Sequence, residues 1–125
     1  MINLYRERLM DHYRHPRNKG RLENPVFSSG QFNPSCGDSV SFEAQVQENK
    51  ITALVFEGKG CVISQATASL LTEFAVGKEL SELLKIDKDF MLKLIGMELG
   101  PTRLKCALLP LEALQEGIKK YQDKK

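Results

Sequence analysis

Nowhere does this 125-residue sequence approach the ~18–20 consecutive apolar residues that a membrane-crossing helix needs. No membrane association is expected. The opening stretch, MINLYRERLMDHYRHPRNKG, is charged throughout and lacks the continuous apolar segment of a secretory leader. A cytoplasmic protein is expected. Charge of one sign is also scarce: 18 Lys and Arg against 16 Asp and Glu leave a formal net charge of +2. That is well short of the concentrated basicity of a nucleic-acid footprint. Internal repeats and low-complexity tracts are missing. Cysteine is limited to three residues and histidine to two. An odd number of cysteines leaves one over from any disulfide framework, and thiols in a reducing compartment stay reduced. Each cysteine is therefore an inert core residue, a reactive thiol or a metal ligand. Without a C-x-x-C pair, spacing alone leaves these three options open.

What is present supports a packed domain over residues 1–125: 42% of residues are hydrophobic and 27% charged. Ile2, Tyr5, Leu9 and Tyr13 recur at helical spacing over residues 2–14, and Pro16 and Gly20 end that helix. After Pro25, VFSSGQF has weak strand character, as an edge strand. Residues 39–47 alternate without a fault: Val40, Phe42, Ala44 and Val46 on one side, polar residues on the other. A second strand over residues 50–57 follows a turn at Glu48–Asn49, and Asn tolerates the positive φ of such turns. A two-residue turn sets Val46 opposite Ile51, Ala44 opposite Ala53 and Phe42 opposite Val55. Extended to the open end of the hairpin, this register brings Cys36 near Cys61.

From Cys61 the pattern becomes helical, with Ile63, Ala66, Leu70 and Phe74 on one face and Gly77 beyond its end. Cys61 thus lies at a helix N-terminus, where the macrodipole favours an anion. Short helices are expected over residues 79–84 and 88–95, the latter capped by Asp87 and stopped by Gly96. Leu111, Leu114, Ile118 and Tyr121 mark a last helix. Because proline belongs in a first turn, Pro110 places its start near Leu109 and leaves Cys106 just upstream, in the preceding connection or a short turn of its own. Helix, antiparallel sheet of about three strands, then several helices is an α+β fold.

The chemistry gathers in two glycine-rich loops. NPSCGDS offers Cys36 and Asp38, and GKGC offers Cys61. Cys106 reaches the same region if the last connection folds back. Thiolates with a carboxylate make a four-donor shell for zinc or an iron–sulfur cluster. Taken locally, Asp38 serves equally as a turn or cap residue. Lys59, Arg103 and Lys105 stand beside these residues in sequence and offer compensating charge, or simply a solvated face. His12 and His15 admit a Cys–His pair, but nothing in the sequence brings them to Cys106. The basic stretch RHPRNKGR reads as a solvated loop ahead of a partner contact, and Met91 and Met97 read as packing residues.

Four segments together resemble the IscU/NifU/SufU family of iron–sulfur cluster assembly proteins: YRERLMDHYRHPRNKG, NPSCGDSV, FEGKGCVISQATASLLTE and RLKCALLPLEAL. The resemblance covers nearly the whole chain. It implies an IscU/SufE-like α+β domain with Cys36, Asp38, Cys61 and Cys106 as metal or cluster ligands. It further implies a scaffold that takes sulfur from a cysteine desulfurase and builds a transient two-iron two-sulfur cluster, with zinc in the isolated protein. Acceptor apo-proteins would receive the cluster. Cys106 and Cys36 are the candidate persulfide acceptors. Lys105 stands where IscU-type members have a histidine, and LGPTR (residues 99–103) replaces their LPPVK chaperone segment, which argues against a dedicated Hsp70-type partner. RLKCALL is more like the SufU branch, whose members resemble zinc-dependent sulfur acceptors. Yet Cys61 and Cys106 stand 45 positions apart, close to the IscU spacing and without the usual SufU insertion. A scaffold rather than an enzyme is the first expectation, with a zinc-dependent sulfurtransferase as the alternative and a purely structural zinc site third. A monomer and a weak homo-oligomer both remain open.

Overall fold

The computed structural model describes residues 4–35 and 37–124. In chain order the elements are α1 (Leu4–Arg14), β1 (Phe27–Asn33), β2 (Asp38–Gln47), β3 (Lys50–Lys59), α2 (Val62–Ala75), α3 (Leu80–Leu84), α4 (Lys88–Ile95) and α5 (Pro101–Asp123). The strands form one antiparallel sheet in the order β1-β2-β3. Helix, three-stranded sheet and C-terminal helices are the α+β arrangement expected from the sequence. Among the described residues no helix is long and apolar enough to cross a membrane.

One face of the sheet carries Phe27, Val40, Phe42, Ala44, Ile51, Leu54 and Phe56, all buried beneath α2 and α5. Leu9 of α1 joins Ala66, Leu70, Ile95 and Ala107 in a smaller cluster, which fastens α1 to the far side of α2. Helix α2 is therefore enclosed on all sides, and every residue from Ser64 to Thr72 is buried. Small and hydroxylic side chains suit a helix so enclosed, because they let its neighbours approach closely. Gly117 plays the same part on α5: a Cβ there would lie 2.7 Å from the Phe27 ring.

The hairpin turn forms as expected, with Glu48 and Asn49 both at positive φ (52° and 63°). The register corrects the expectation beyond the first pairs. Val46 does face Ile51, but Gln45 faces Ala53, Ala44 faces Leu54 and Phe42 faces Phe56. Thr52 is the extra residue of a β-bulge, which shifts every later pairing by one. The physical reason is size. The shift buries Leu54 and Phe56 and leaves the smaller Ala53 and Val55 half-buried, so more apolar surface leaves water. The Phe42 and Phe56 rings then meet at 6.5 Å. It also changes what lies opposite Cys61. The last pair of the ladder is Ser39–Lys59, so Asp38 approaches Gly60–Cys61, and Cys36 lies outside the described residues.

Helix α4 begins and ends as read from the sequence: the Phe90 N–H donates to Asp87 Oδ1 at 2.9 Å, and Gly96 closes it at φ 80°. Helix α5 does not. It starts at Pro101 behind Gly100 and runs through Pro110, so Cys106 sits on a helix and not in a connection. An interior proline costs about 3 kcal/mol, because it has no N–H for the carbonyl four residues back. Here that carbonyl belongs to Cys106. The cost is offset by the continuous inward face that the unbroken helix presents: Cys106, Leu109, Pro110, Ala113, Leu114 and Ile118 are all buried.

Candidate metal centre

The site is built at the open end of the β2–β3 hairpin. Asp38 begins β2 and is fully buried. Cys61 follows β3 through Gly60 and acts as the N-cap of α2, its backbone extended and its Sγ accepting the Ser64 N–H at 3.5 Å. A donor in that place faces the positive end of the helix dipole, which suits a negatively charged ligand. The Cys61 N–H donates to Asp38 Oδ1 at 2.8 Å, and the Cys61 thiol donates to Asp38 Oδ2 at 3.2 Å. Gly60 is required here: its φ is 132°, and a Cβ would stand 2.0 Å from Asp38 Oδ1. Cys106 arrives from α5, also buried.

Three elements thus converge. The sulfurs of Cys61 and Cys106 and a carboxylate oxygen of Asp38 all lie within 4.8 Å of one another. Ligand bonds of ~2.0–2.3 Å to zinc set tetrahedral donors roughly 3.3–3.8 Å apart, so small side-chain rotations close this set on an ion. The donor chemistry fits as well. A carboxylate and two sulfurs crowded into a largely buried space repel one another when ionised, and a cation at their centre removes that cost.

Of the four residues expected to bind, the structure brings together Asp38, Cys61 and Cys106. Cys36 lies outside the described residues, but the chain on either side of it is turned back onto the end of β1. The Ser35 N–H donates to Asn33 Oδ1 at 3.0 Å, and the Gly37 N–H to Asn33 O at 2.9 Å. Lys59, Arg103 and Lys105 are exposed. His12 is buried elsewhere: its Nδ1 is 2.7 Å from Ser69 Oγ and its Nε2 3.3 Å from Glu73 Oε1, both on α2. The Arg17 N–H donates to the same Ser69 oxygen at 2.8 Å. Burial pushes the His12 imidazole below its ordinary range, and the nearby Arg17 charge adds to the shift. With the ring neutral, Nδ1 accepts a hydrogen bond from the Ser69 hydroxyl and the Nε2–H donates to Glu73. His12 is a clasp between α1 and α2, while His15 is exposed.

The sequence reading overlooked Gln65. Its Nε2 lies 3.1 Å from Ser39 O, 3.1 Å from Lys59 O and 3.0 Å from Ser64 Oγ, so it ties the last pair of the β2–β3 ladder to α2. The available signal was its place four residues after Cys61, hence on the same side of the helix. A surface depression of about 690 Å³ beside Phe32, Ser41 and Lys59 contains none of the three converging donors.

The NifU-like N terminal domain family model matches residues 4–125. The zinc-dependent sulfurtransferase SufU of Bacillus subtilis is 36% identical over 136 aligned positions, spanning 95% of this chain and 92% of the relative. The iron-sulfur cluster assembly scaffold protein IscU 1 of Archaeoglobus fulgidus is 34% identical over 118 positions, spanning 94% of this chain and 76% of the relative. Among solved structures, a SufU protein of Fervidobacterium islandicum, named as a candidate scaffold for the SUF system, superposes with a TM-score of 0.80 at 29% identity. It covers 90% of this chain and 94% of its own. With a family match over almost its whole length and relatives of this similarity, the chain belongs to the NifU-like N-terminal domain family of iron–sulfur cluster assembly proteins.

Proposed function

We propose that this chain is an iron–sulfur cluster assembly scaffold of the cytoplasm, with Cys36, Asp38, Cys61 and Cys106 as its ligand set. The observation that carries this reading is the convergence of Asp38, Cys61 and Cys106 from a strand, a helix cap and a second helix. The cargo is a two-iron two-sulfur cluster, for which thiolates are the ordinary protein ligands. Sulfur arrives from a cysteine desulfurase. A thiolate of this chain, at Cys106 or Cys36, attacks the outer sulfur of the desulfurase persulfide. A new S–S bond forms on this chain, the old S–S bond breaks, and the desulfurase cysteine leaves as a thiolate. Iron and electrons come from separate donors, and the finished cluster passes to an acceptor apo-protein. Cys61 is half-buried while Asp38 and Cys106 are buried, so cargo enters and leaves on the Cys61 side.

A second reading is a zinc-dependent sulfurtransferase, as the Bacillus relative is named, and Lys105 in place of a ligand histidine favours it. The 45-position separation of Cys61 and Cys106, close to the IscU spacing, weighs the other way. The deciding experiment is anaerobic reconstitution with iron, cysteine and a cysteine desulfurase, followed by addition of an apo-ferredoxin. A cluster absorption band that forms and then moves to the ferredoxin establishes the scaffold. Zinc-dependent stimulation of the desulfurase with no cluster formed establishes sulfur transfer instead.

A further inference from the structure

Gln65 is nine-tenths buried, yet only half of its amide is used. The nitrogen serves Ser39 O, Lys59 O and Ser64 Oγ, while Oε1 is buried with no hydrogen-bond partner among the described residues. Turning the amide over does not help, because Oε1 would then face two carbonyl oxygens. An unpaired buried acceptor lowers stability, so the arrangement carries a cost to the fold. The backbone accommodates it too. At Gly58 a Cβ would lie 2.3 Å from Ser39 O and 2.7 Å from Gln65 Oε1, so only glycine leaves room for the amide to lie across the strand ends.

What the amide fixes is the pair of residues next to the donors. Ser39 adjoins Asp38, and Lys59 adjoins Gly60, whose missing Cβ lets the Asp38 carboxylate reach Cys61. We propose that Gln65 is a positioning residue for metal binding: it holds the ends of β2 and β3 against α2 so that the Asp38 carboxylate is presented beside Cys61. This rests on the ligand set proposed above. Gln65 touches no cargo and acts through Asp38. Ser64 links the two halves, accepting from Gln65 Nε2 and donating to Cys61 O at 3.2 Å. By reciprocity, if the brace favours the metal-binding arrangement, bound metal must tighten the brace by the same factor.

The test is zinc affinity, measured by chelator competition, together with the visible spectrum of the cobalt(II) form. Gln65→Leu removes the donors, and Gln65→Glu keeps the shape but cannot donate while ionised. Each is expected to weaken zinc by about 10–100-fold, the usual effect of losing a group that orients a ligand. The cobalt bands should move toward those of Asp38→Ala. In an Asp38→Ala background the Gln65→Leu loss should vanish, since the residue it acts through is gone. Full affinity in Gln65→Leu, or a loss undiminished in the double variant, overturns the proposal and leaves the ligand set intact. Unchanged affinity in both Asp38→Ala and Cys61→Ser overturns the ligand set and the proposal with it. If the Gln65 variants do not fold, the wild-type side-chain amide decides. Slower exchange of its protons with zinc than without supports the brace, and equal exchange overturns it.

Discussion

The two ends of the β2–β3 hairpin are closed by different means. At the turn, Glu48 and Asn49 reverse the chain by backbone geometry alone, and backbone bonds from residues 77–80 secure the adjoining edge: Gly77 N–H to Ile51 O at 2.8 Å, Ile51 N–H to Lys78 O at 3.0 Å, Leu80 N–H to Asn49 O at 2.9 Å. At the other end the strands part at Ser39–Lys59, and side chains hold them: Gln65 across both carbonyls, Asp38 on the Cys61 N–H. A backbone closure is indifferent to what the protein binds. A closure made by side chains that also surround the donor atoms is coupled to occupancy.

Substitutions at the two ends should separate these cases. The largest effect belongs to Gly60→Ala, which meets both a positive φ and the Asp38 carboxylate. We expect about 2–4 kcal/mol of lost stability in urea unfolding of the metal-free protein, with zinc binding lost in parallel. Retained zinc affinity would show that Asp38 does not need its present place. At the turn, Asn49→Ala should cost about 1 kcal/mol, because a residue without a polar side chain must still adopt φ 63°. Zinc affinity should not change, and a change would dissolve the contrast between the two ends. The smallest effect concerns His12, away from both. Its imidazole is held below its ordinary value of 6.5, so the unfolded chain takes up a proton before the folded one does. Stability should therefore fall as pH drops below about 6.5, and His12→Gln should flatten that slope. A wild-type slope of the opposite sign would mean that Glu73 outweighs burial.

Much of this was legible in the sequence, for local reasons. Alternation over residues 39–47 and the cap residues Asp87 and Gly96 report geometry their immediate neighbours impose. The errors share a cause. The bulge at Thr52 and the passage of α5 through Pro110 both go against a local rule because burial elsewhere outweighs it, by Leu54 and Phe56 in one case and the inward face of α5 in the other. At the site, residue types announced the donors Asp38, Cys61 and Cys106. Gln65 stayed hidden because its importance lies in two backbone carbonyls, which no side-chain pattern reveals.

Helix α2, continuously buried from Ser64 to Thr72, also governs how the molecule comes apart. Its amides should be among the last to exchange with solvent, opening only when the whole domain opens. Cys61 caps the head of that helix, so of the three converging donors it is the one joined to the element expected to open last.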